Sequence, residues 1–442
     1  MRYHRKNYGR FTPRSFKHPV VKRIIYVGLL GYMIRFLDMA ILTWLVVQEF
    51  PNPSAAGGII FFRFLPFLIV GPIFGVIADN ISRIKIIFIA QPLSLFLMLF
   101  FGLAIQFDLS SLIFFYIYSF LVGSVFVLEL IAKRTYLVRI MRKRKYFTSV
   151  LALETITLDL GWFIGANLGG ILLSFFSPQY IYFFISPFLL INIFLLKNLP
   201  ELKVARDKKI KDSYINSLRL GLLYAKNNSI ILTVLLIIGT ANLFGFIFES
   251  LGPTYIKNTL KQDSFMFGLL IASPGLGSLI GASIFSVIKL VRYPGIFLIT
   301  SVLLLYVCQF TYSFITDVYL LLILYIFLGF VTSFFIVLHS SIILTKTDDA
   351  FRGRISGLTS IMIGFFPFAG IIFGFLGDYI GIEFTLKTAS ILGIISLIIL
   401  SLSNKNIYKI LSSLLQSVTL LQHLTIDIEH LSLVLFQDQG LF

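Results

Sequence analysis

The chain of 442 residues contains a single cysteine, Cys308, and only 13% of its residues are charged. One cysteine excludes an internal disulfide and a cysteine-rich metal site, and the apolar neighbours of Cys308 predict a buried, unreactive thiol. Soluble proteins of ordinary composition carry about twice this charged fraction. Because hydrophobic residues make up 57% of the chain, the low charge content excludes an ordinary soluble protein.

Apolar runs of about twenty residues, the length of helix that crosses a bilayer, recur along the whole chain. They predict an all-α polytopic membrane protein with twelve spans in two six-helix bundles. The spans are expected at 22–46, 55–78, 84–106, 110–132, 147–176, 179–197, 229–251, 264–288, 294–315, 317–344, 353–380 and 383–403. The first run is too long for a signal peptide, so we expect it to remain as span 1.

The net charge of +17 is distributed unevenly. Lysine and arginine concentrate in the N-terminus, the even-numbered loops and the start of the C-terminal tail, whereas the odd-numbered loops hold only Lys257, Lys261 and Lys387. Basic residues in short loops mark the cytoplasmic side of a membrane. Both termini are therefore expected in the cytoplasm, with the protein in a bacterial inner membrane, and the charge sets topology rather than binding nucleic acid.

This reading divides the chain into five parts. They are a basic N-terminus (1–21), a first bundle (22–197), a cytoplasmic linker (198–228), a second bundle (229–403) and a cytoplasmic tail (404–442). Within the linker, Ser213 to Ala225 predicts a short amphipathic helix with Ile215, Leu218, Leu222 and Leu223 on one side. The leucine-rich tail predicts an amphipathic helix or a strand-like piece, and no function follows from it.

The two predicted bundles share glycines in similar places. Gly58-Ile-Ile aligns with Gly268-Leu-Leu, which places span 2 on span 8, and Gly165 and Gly169 of span 5 match Gly370 and Gly374 of span 11. Chance similarity is a competing explanation because apolar segments use few residue types. An internal repeat of this kind is typical of transporters built from two related bundles.

The segment from Gly75 to Lys85, GVIADNISRIK, places charges between two apolar spans. It resembles the loop 2–3 signature of the major facilitator superfamily, although Asn80 stands where an arginine is usual. The wider segment FRFLPFLIVGPIFGVIADNISRIKIIFIAQ, the span 1 sequence IRFLDMAILTWLV and the loop FRGRISGL resemble the branch of macrolide efflux proteins and the enterobactin exporter. The resemblance covers roughly residues 20–403 and implies the major facilitator fold.

The resemblance also implies two functional segments. The loop 2–3 signature would form an inner gate that braces the bundles, and its residues here are Gly75, Asp79, Arg83 and Lys85, with Arg352 and Arg354 opposite. Asp79 could accept hydrogen bonds from Arg83 or from the amides that begin span 11. The alternative is that the basic residues only set topology.

Span 5 resembles an exporter-associated motif with Ala166 in place of its proline. Its residues here are Gly161, Gly165, Gly169 and Gly170. Helix packing alone is the alternative explanation for these glycines.

Ionisable residues within predicted spans are costly in hydrocarbon and so are functional candidates. Asp38 and Asp159 are the leading candidates for proton coupling, with Glu154 and Glu129 as further carboxylates that could instead be structural or gating groups. Arg35 and Arg63 are possible charge partners, and a static pairing of Asp38 with either arginine is the alternative to coupling. We expect Glu249 to be hydrated and His339 to be a hydrogen-bonded packing residue.

These features predict a secondary active transporter that uses protons to export an amphipathic small molecule, such as a siderophore or drug. A monomer in the lipid bilayer without metal or cofactor is expected, and the absence of hydrolase and metalloprotease motifs argues against an enzyme. An importer, a lipid flippase and a non-transporting sensor remain alternatives. Pocket candidates, chosen by position alone, are Trp44, Trp162, Phe163, Asn167, Asn242, Phe248 and Gln309.

Overall fold

The structure is a computed structural model that describes residues 18–77, 82–109, 111–141, 147–201, 214–287, 293–348, 351–404 and 407–408. Within these ranges, twelve helices are long and apolar enough to cross a membrane, and no strand occurs. The predicted all-α fold with twelve spans is therefore confirmed, and the chain is a multi-pass membrane protein. Asp79 lies outside the described residues, as does the predicted structure of the tail beyond residue 408.

Nine of the twelve spans are single helices. They are spans 1 (Pro19–Glu49), 2 (Pro53–Ile77), 3 (Arg83–Gln106), 4 (Leu112–Ile140), 5 (Phe147–Phe175), 8 (Ser264–Val287), 9 (Pro294–Tyr312), 10 (Val318–Lys346) and 12 (Ile382–Ser403). Spans 1, 2 and 9 begin with proline. Proline has no N–H, and this costs nothing here because an N–H at the start of a helix has no partner within the helix. Ser111 and Asp317 cap spans 4 and 10 by accepting from the backbone N–H three residues ahead.

The other three spans are interrupted helices. Span 6 consists of Pro178–Ile185 and Leu189–Leu196 on either side of a 3₁₀ turn that contains Pro187. Span 7 consists of Ser229–Phe244 and Ile247–Thr254, followed by a π-helical turn at Tyr255–Thr259. Span 11 consists of Arg352–Ile363 and Phe365–Ile380, which meet at Gly364. Such breaks free backbone groups for other partners: Gln309 of span 9 accepts from the amides of Ile247 (3.0 Å) and Phe248 (3.3 Å).

The two halves have the same internal packing. In the first half, span 1 packs on span 5 and span 2 on span 4; in the second, span 7 packs on span 11 and span 8 on span 10. The halves meet where span 5 contacts span 8 and where span 2 contacts span 11. The arrangement is the expected pair of six-helix bundles, joined along two helix crossings.

Glycines allow the closest of these crossings, because a side chain there would overlap the neighbouring backbone. A Cβ on Gly57 would lie 2.0 Å from the Gly370 oxygen, and one on Gly170 would lie 2.5 Å from the Gly268 Cα. The repeat prediction aligned Gly58 with Gly268, whereas the glycine of span 2 that makes the corresponding contact between the halves is its neighbour Gly57. Gly58 instead faces Tyr116 of span 4, because a shift of one residue turns a side chain by about 100° around the helix.

Two further boundaries differ from prediction. Span 4 continues to Ile140 rather than ending near residue 132, so Lys133 and Arg134 lie in the helix. Lys133 is buried there. Its ammonium lies 3.6 Å from the Glu129 carboxylate and 3.7 Å from the centre of the Tyr32 ring. The linker helix runs from Tyr214 to Asn227.

The residues predicted for the apolar side of the linker helix lie in two environments. Leu218 packs against the core together with the buried Gly221 and Ala225, whereas Leu222 and Leu223 are exposed. The helix docks on the start of span 11, where a Cβ on Gly221 would lie 3.1 Å from the Arg354 Cβ. The side of the linker helix that packs on span 11 is the side with the small residues Gly221 and Ala225, because they permit this close approach.

Candidate functional site: a cavity between the two bundles

A cavity of about 520 Å³ lies between the bundles. Its walls come from spans 1, 2, 4 and 5 of the first half and spans 7, 8, 10 and 11 of the second. Aromatic rings dominate the lining: Phe36, Phe64, Phe67, Phe126, Trp162, Phe246, Phe267, Phe335 and Phe366. A volume of this size is typical of sites for drug-sized ligands, and the ring faces favour an apolar or amphipathic occupant.

Two carboxylates interrupt the apolar wall. Asp159 of span 5 accepts a hydrogen bond from Ser278 of span 8 at 3.4 Å, which joins the two halves. Glu249 of span 7 lies in the facing half, and its carboxylate has no hydrogen-bond or ion-pair partner among the described residues. His339 also lines the cavity, with its Nδ1 2.7 Å from the Phe335 oxygen. Among the described lining residues, none is lysine or arginine.

Two of the predicted pocket residues lie in this wall, Trp162 and Asn242, and Phe163 is the neighbour of the first. The other four do not line the cavity. Trp44 packs against Phe267, with ring centres 5.0 Å apart; Phe248 is 1% exposed; Asn167 bonds to the Phe163 oxygen; and Gln309 satisfies the broken backbone of span 7. Position along a span was a poor guide because the rotation of each helix decides which side chains face the centre.

The sequence prediction missed Glu249 and His339 as cavity residues. Glu249 was expected to be hydrated because it lies near the outer end of span 7; in the structure it follows the break at Gly245 and Phe246 and lines the cavity. His339 keeps the predicted hydrogen bond but also faces the cavity. The usable signal for Glu249 was its presence in an apolar span, which marks functional candidates in general.

Asp38 lies inside the first bundle, away from the cavity wall. It accepts from Arg63 at 2.6 Å, Tyr118 at 2.7 Å and Tyr182 at 3.0 Å, and it is fully buried. The structure thus contains the pairing of Asp38 with Arg63, and every Asp38 contact comes from the same half of the protein. A carboxylate held by one cation and two hydroxyls has the character of a structural centre.

The remaining intramembrane charges form two further clusters in the first bundle. Arg35 does not pair with Asp38; it pairs with Glu129 of span 4 and donates to Ser94 at 3.1 Å. Glu154 of span 5 accepts from Tyr32 and, at 2.8 Å, from Arg134. Spans 1, 4 and 5 are joined by these contacts, which favours the structural alternative for Glu129 and Glu154.

The predicted inner gate is only partly described. Arg83 is buried at the start of span 3, and Gly75 lies near the end of span 2. Lys85 pairs with Glu201 at 3.1 Å, and this hydrogen bond lowers the pKa of the exposed Glu201 carboxyl. Across the chain, Arg352 donates to the Leu344 oxygen at 3.2 Å, and the Arg354 guanidinium lies 5.2 Å from the centre of the Phe351 ring.

The four glycines of span 5 serve two different crossings. Three of them face span 1. A Cβ on Gly161 would lie 2.5 Å from the Tyr32 Cβ, and one on Gly165 would lie 2.2 Å from the Met33 oxygen. A Cβ on Gly169 would lie 3.1 Å from the Ala40 Cβ. Gly170 faces Gly268 of span 8 instead. Three of the glycines therefore hold the first bundle together, and the fourth joins the halves.

Contacts between the halves close the cavity at its predicted outer end. Besides the glycine crossings, the Asn258 amide donates to the Pro51 oxygen at 2.9 Å, and the Lys257 ammonium lies 4.4 Å from the centre of the Trp44 ring. The Ser54 N–H donates to Asp378 at 3.0 Å. We call this set of contacts the outer seal.

A family model described as transmembrane secretion effector, within the major facilitator superfamily, matches residues 11–421. The chain belongs to this family. Its fold agrees: a crystal structure of the nucleoside transporter NupG has a TM-score of 0.66 at 14% identity, covering 86% of this chain and 98% of the other. No curated protein matches the chain in sequence.

A bacterial homologue of the human lysosomal transporter Spinster, in an inward-facing and unoccupied conformation, has the same TM-score of 0.66 at 11% identity. It covers 89% of this chain and 96% of the other. At these identities the likeness establishes the fold of this secretion effector family member and not its cargo. Family and fold are those of transporters, in which a central cavity opens to each side of the membrane in turn.

Proposed function

We propose that the protein is a proton-driven exporter of amphipathic small molecules that works by alternating access. The observation that carries the proposal is the aromatic cavity between two bundles, which contains Asp159 and lies beneath a closed outer seal. The family description, secretion effector, supports export as the direction. The sequence resemblance to macrolide and enterobactin exporters supports the same direction and favours a drug or siderophore as cargo.

Asp159 is the better candidate for proton coupling in this proposal. Its carboxylate faces the cavity and has one long hydrogen bond, from a serine of the other half. Movement of the bundles would change that contact and the access of water to it, and so would change its affinity for a proton. Asp38 lacks this property because all of its partners move with it.

The cycle follows from these contacts. With the outer side open, Asp159 takes a proton from outside; with the inner side open, it releases the proton to the cytoplasm and the cavity takes up cargo. Return to the outer side then delivers the cargo. The two movements are coupled when the bundles change sides with either the proton or the cargo bound, and not with both or neither.

Inverted membrane vesicles test this proposal. We expect accumulation of a labelled macrolide, a catecholate siderophore or tetraphenylphosphonium when the vesicle interior is acidified, with loss of accumulation when an uncoupler is added. Asp159→Asn should abolish accumulation driven by the gradient and retain exchange of labelled for unlabelled probe. Asp108→Asn, in an exposed turn that asparagine also tolerates, is the matched control.

Three outcomes contradict parts of the proposal. Flux that persists unchanged with the uncoupler would exclude proton coupling, and accumulation only in right-side-out vesicles would identify an importer. Specific binding of a probe without any flux in either orientation would identify a sensor.

A further inference from the structure

The cavity has carboxylates on both sides and, among its described lining residues, no lysine or arginine. Arg35 and Arg63 lie in spans that form its walls, and the Arg35 guanidinium is 5.5 Å from the centre of the Phe126 ring in that wall. Arg35 pairs with Glu129 and Arg63 with Asp38, so these guanidiniums are neutralised within the first bundle. The described lining residues that can carry a full charge are therefore the carboxylates Asp159 and Glu249 and the imidazole of His339.

We propose that this cavity selects organic cations and that Glu249 is the anionic anchor for them. The proposal rests on the proposed function, since it names the class of cargo for the same cavity. Asn242, Phe246, Glu249 and Pro253 recur every three or four residues along span 7 and all line the cavity. Glu249 thus lies on the face that span 7 of the second half presents to a ligand.

The described surroundings of Glu249 lack a partner for its carboxylate, and a ligand can supply one. An ionised carboxylate in an apolar wall is costly unless a cation or hydrogen-bond donors compensate it. Asp159 has Ser278, whereas Glu249 has no partner among the described residues. A bound cation supplies that compensation, and an anionic ligand would add a second unpaired negative charge.

The aromatic walls favour the same ligand class. Cations lie favourably against the faces of phenylalanine and tryptophan rings, and the gain increases when water is excluded. Trp162 and Phe36 stack at 5.7 Å in the first half, and Phe246 and Phe366 meet at 6.3 Å in the second. A delocalised organic cation fits between such rings better than a compact, strongly hydrated ion.

A pair of probes of the same shape and opposite charge tests the proposal. Tetraphenylphosphonium and tetraphenylborate differ in charge and hardly in size. The chain has two tryptophans, so Trp44→Phe leaves Trp162 in the cavity wall as the only indole reporter. Quenching of its fluorescence in detergent then measures binding without a proton gradient or transport.

We expect tetraphenylphosphonium to bind at least about tenfold more tightly than tetraphenylborate, which corresponds to one effective ion pair. Glu249→Gln should remove most of that preference, Glu249→Asp should restore part of it, and Asp108→Asn should retain it. Equal binding of both probes, tighter binding of the borate or an unchanged preference in Glu249→Gln would overturn the proposal. Because the assay needs no flux, charge selection can hold even if proton-driven export fails.

A second inference rests on a different observation, the contact of Asp378 with span 2. The Ser54 N–H is in the first turn of span 2, where amides have no partner within the helix, and it donates to Asp378 from the last turn of span 11. A carboxylate at the C-terminal end of its own helix is unfavourable, whereas at the N-terminus of another helix it is favourable. The Asp378 carboxylate is therefore stabilised by its contact with span 2 and not by its own helix.

The same sequence pattern ends both helices concerned. Span 11 closes with Gly374-Phe-Leu-Gly-Asp378, and the signature at the end of span 2 begins Gly75-Val-Ile-Ala-Asp79. In span 11 the glycine allows the approach, since a Cβ on Gly374 would lie 2.9 Å from the Ser54 Cα. We infer that Asp378 is an outer latch, the counterpart of the inner latch that the sequence predicts for Asp79.

In this scheme each of the two helices caps the start of the other, at opposite faces of the membrane. The outer latch holds while the outer seal is closed and must open when the cavity opens outward. Loss of Asp378 should therefore shift the protein towards the outward-open state. The affected contact is exposed, so the fold of each bundle does not depend on it.

Thiol labelling tests the outer latch. Thr43 lines the cavity and is 4% exposed; Thr43→Cys in a Cys308→Ala background reports access from outside. A membrane-impermeant maleimide should react faster when Asp378→Ala is added and at an intermediate rate with Asp378→Asn, which keeps an acceptor. The control is Asp317→Ala, which removes the cap of span 10 within one half.

Equal labelling rates with and without Asp378→Ala would overturn the latch. So would an equal increase in Asp317→Ala, since that result would trace the effect to general loosening. Retained unfolding temperatures in both variants establish that the labelled protein is folded.

Discussion

Asp38 and Asp159 show how two carboxylates within apolar spans acquire different properties from their partners. Asp38 has Arg63, Tyr118 and Tyr182 around it, and Asp159 has the hydroxyl of Ser278. The sequence identified both residues because a charge in an apolar span is conspicuous. It could not separate them, since the partners come from helices that are distant along the chain.

Asp38→Asn should destabilise the protein by about 3 kcal/mol or more, because it leaves the Arg63 guanidinium buried without its counter-charge. Adding Arg63→Gln should recover part of the loss. Thermal unfolding in detergent measures both effects. Asp159→Asn is the comparison and should unfold close to the wild-type temperature. An Asp38→Asn protein of normal stability that has lost proton coupling would contradict this assignment and return the coupling role to Asp38.

Helices of this protein approach one another closely where glycines coincide, and the two crossings between halves depend on this. Glycine spacing in the sequence predicted close packing, and the structure contains it. The sequence did not identify the helix that each glycine contacts. Gly169 and Gly170 are adjacent, yet Gly169 faces span 1 and Gly170 faces span 8. The partner depends on the rotation of the helix, which packing of the whole bundle determines.

Gly170→Ala should push spans 5 and 8 apart at the outer seal, since its Cβ would lie 2.5 Å from the Gly268 Cα and 2.7 Å from the Ser264 oxygen. Overpacking of this kind costs about 1–3 kcal/mol, and only the outer-closed state bears that cost. The population should shift outward, with faster maleimide labelling of Thr43→Cys. Gly353→Ala is the matched control because a Cβ there meets nothing within 4 Å. Unchanged labelling in Gly170→Ala would show that this crossing does not limit opening.

At the scale of the molecule, the orientation in the membrane remains a prediction from basic residues. Cysteines at Lys197 and Lys226 should react with an impermeant reagent from the cytoplasmic side only, and cysteines at Asn52 and Asp263 from the other side only. These positions are exposed in the structure, and Cys308→Ala removes the native thiol. Labelling of Lys197→Cys and Lys226→Cys from different sides would contradict the twelve-span topology that both the charge pattern and the fold support.

Composition and charge pattern alone determined the membrane class, the number of spans and the set of intramembrane charges. These are local properties: the length of an apolar run and the cost of a charge in lipid depend little on distant residues. Tertiary structure decided that Arg35 pairs with Glu129, that Glu249 reaches the cavity and that Gln309 does not. Each of those outcomes depends on how a helix is rotated and where it breaks, and packing against the other eleven spans determines both.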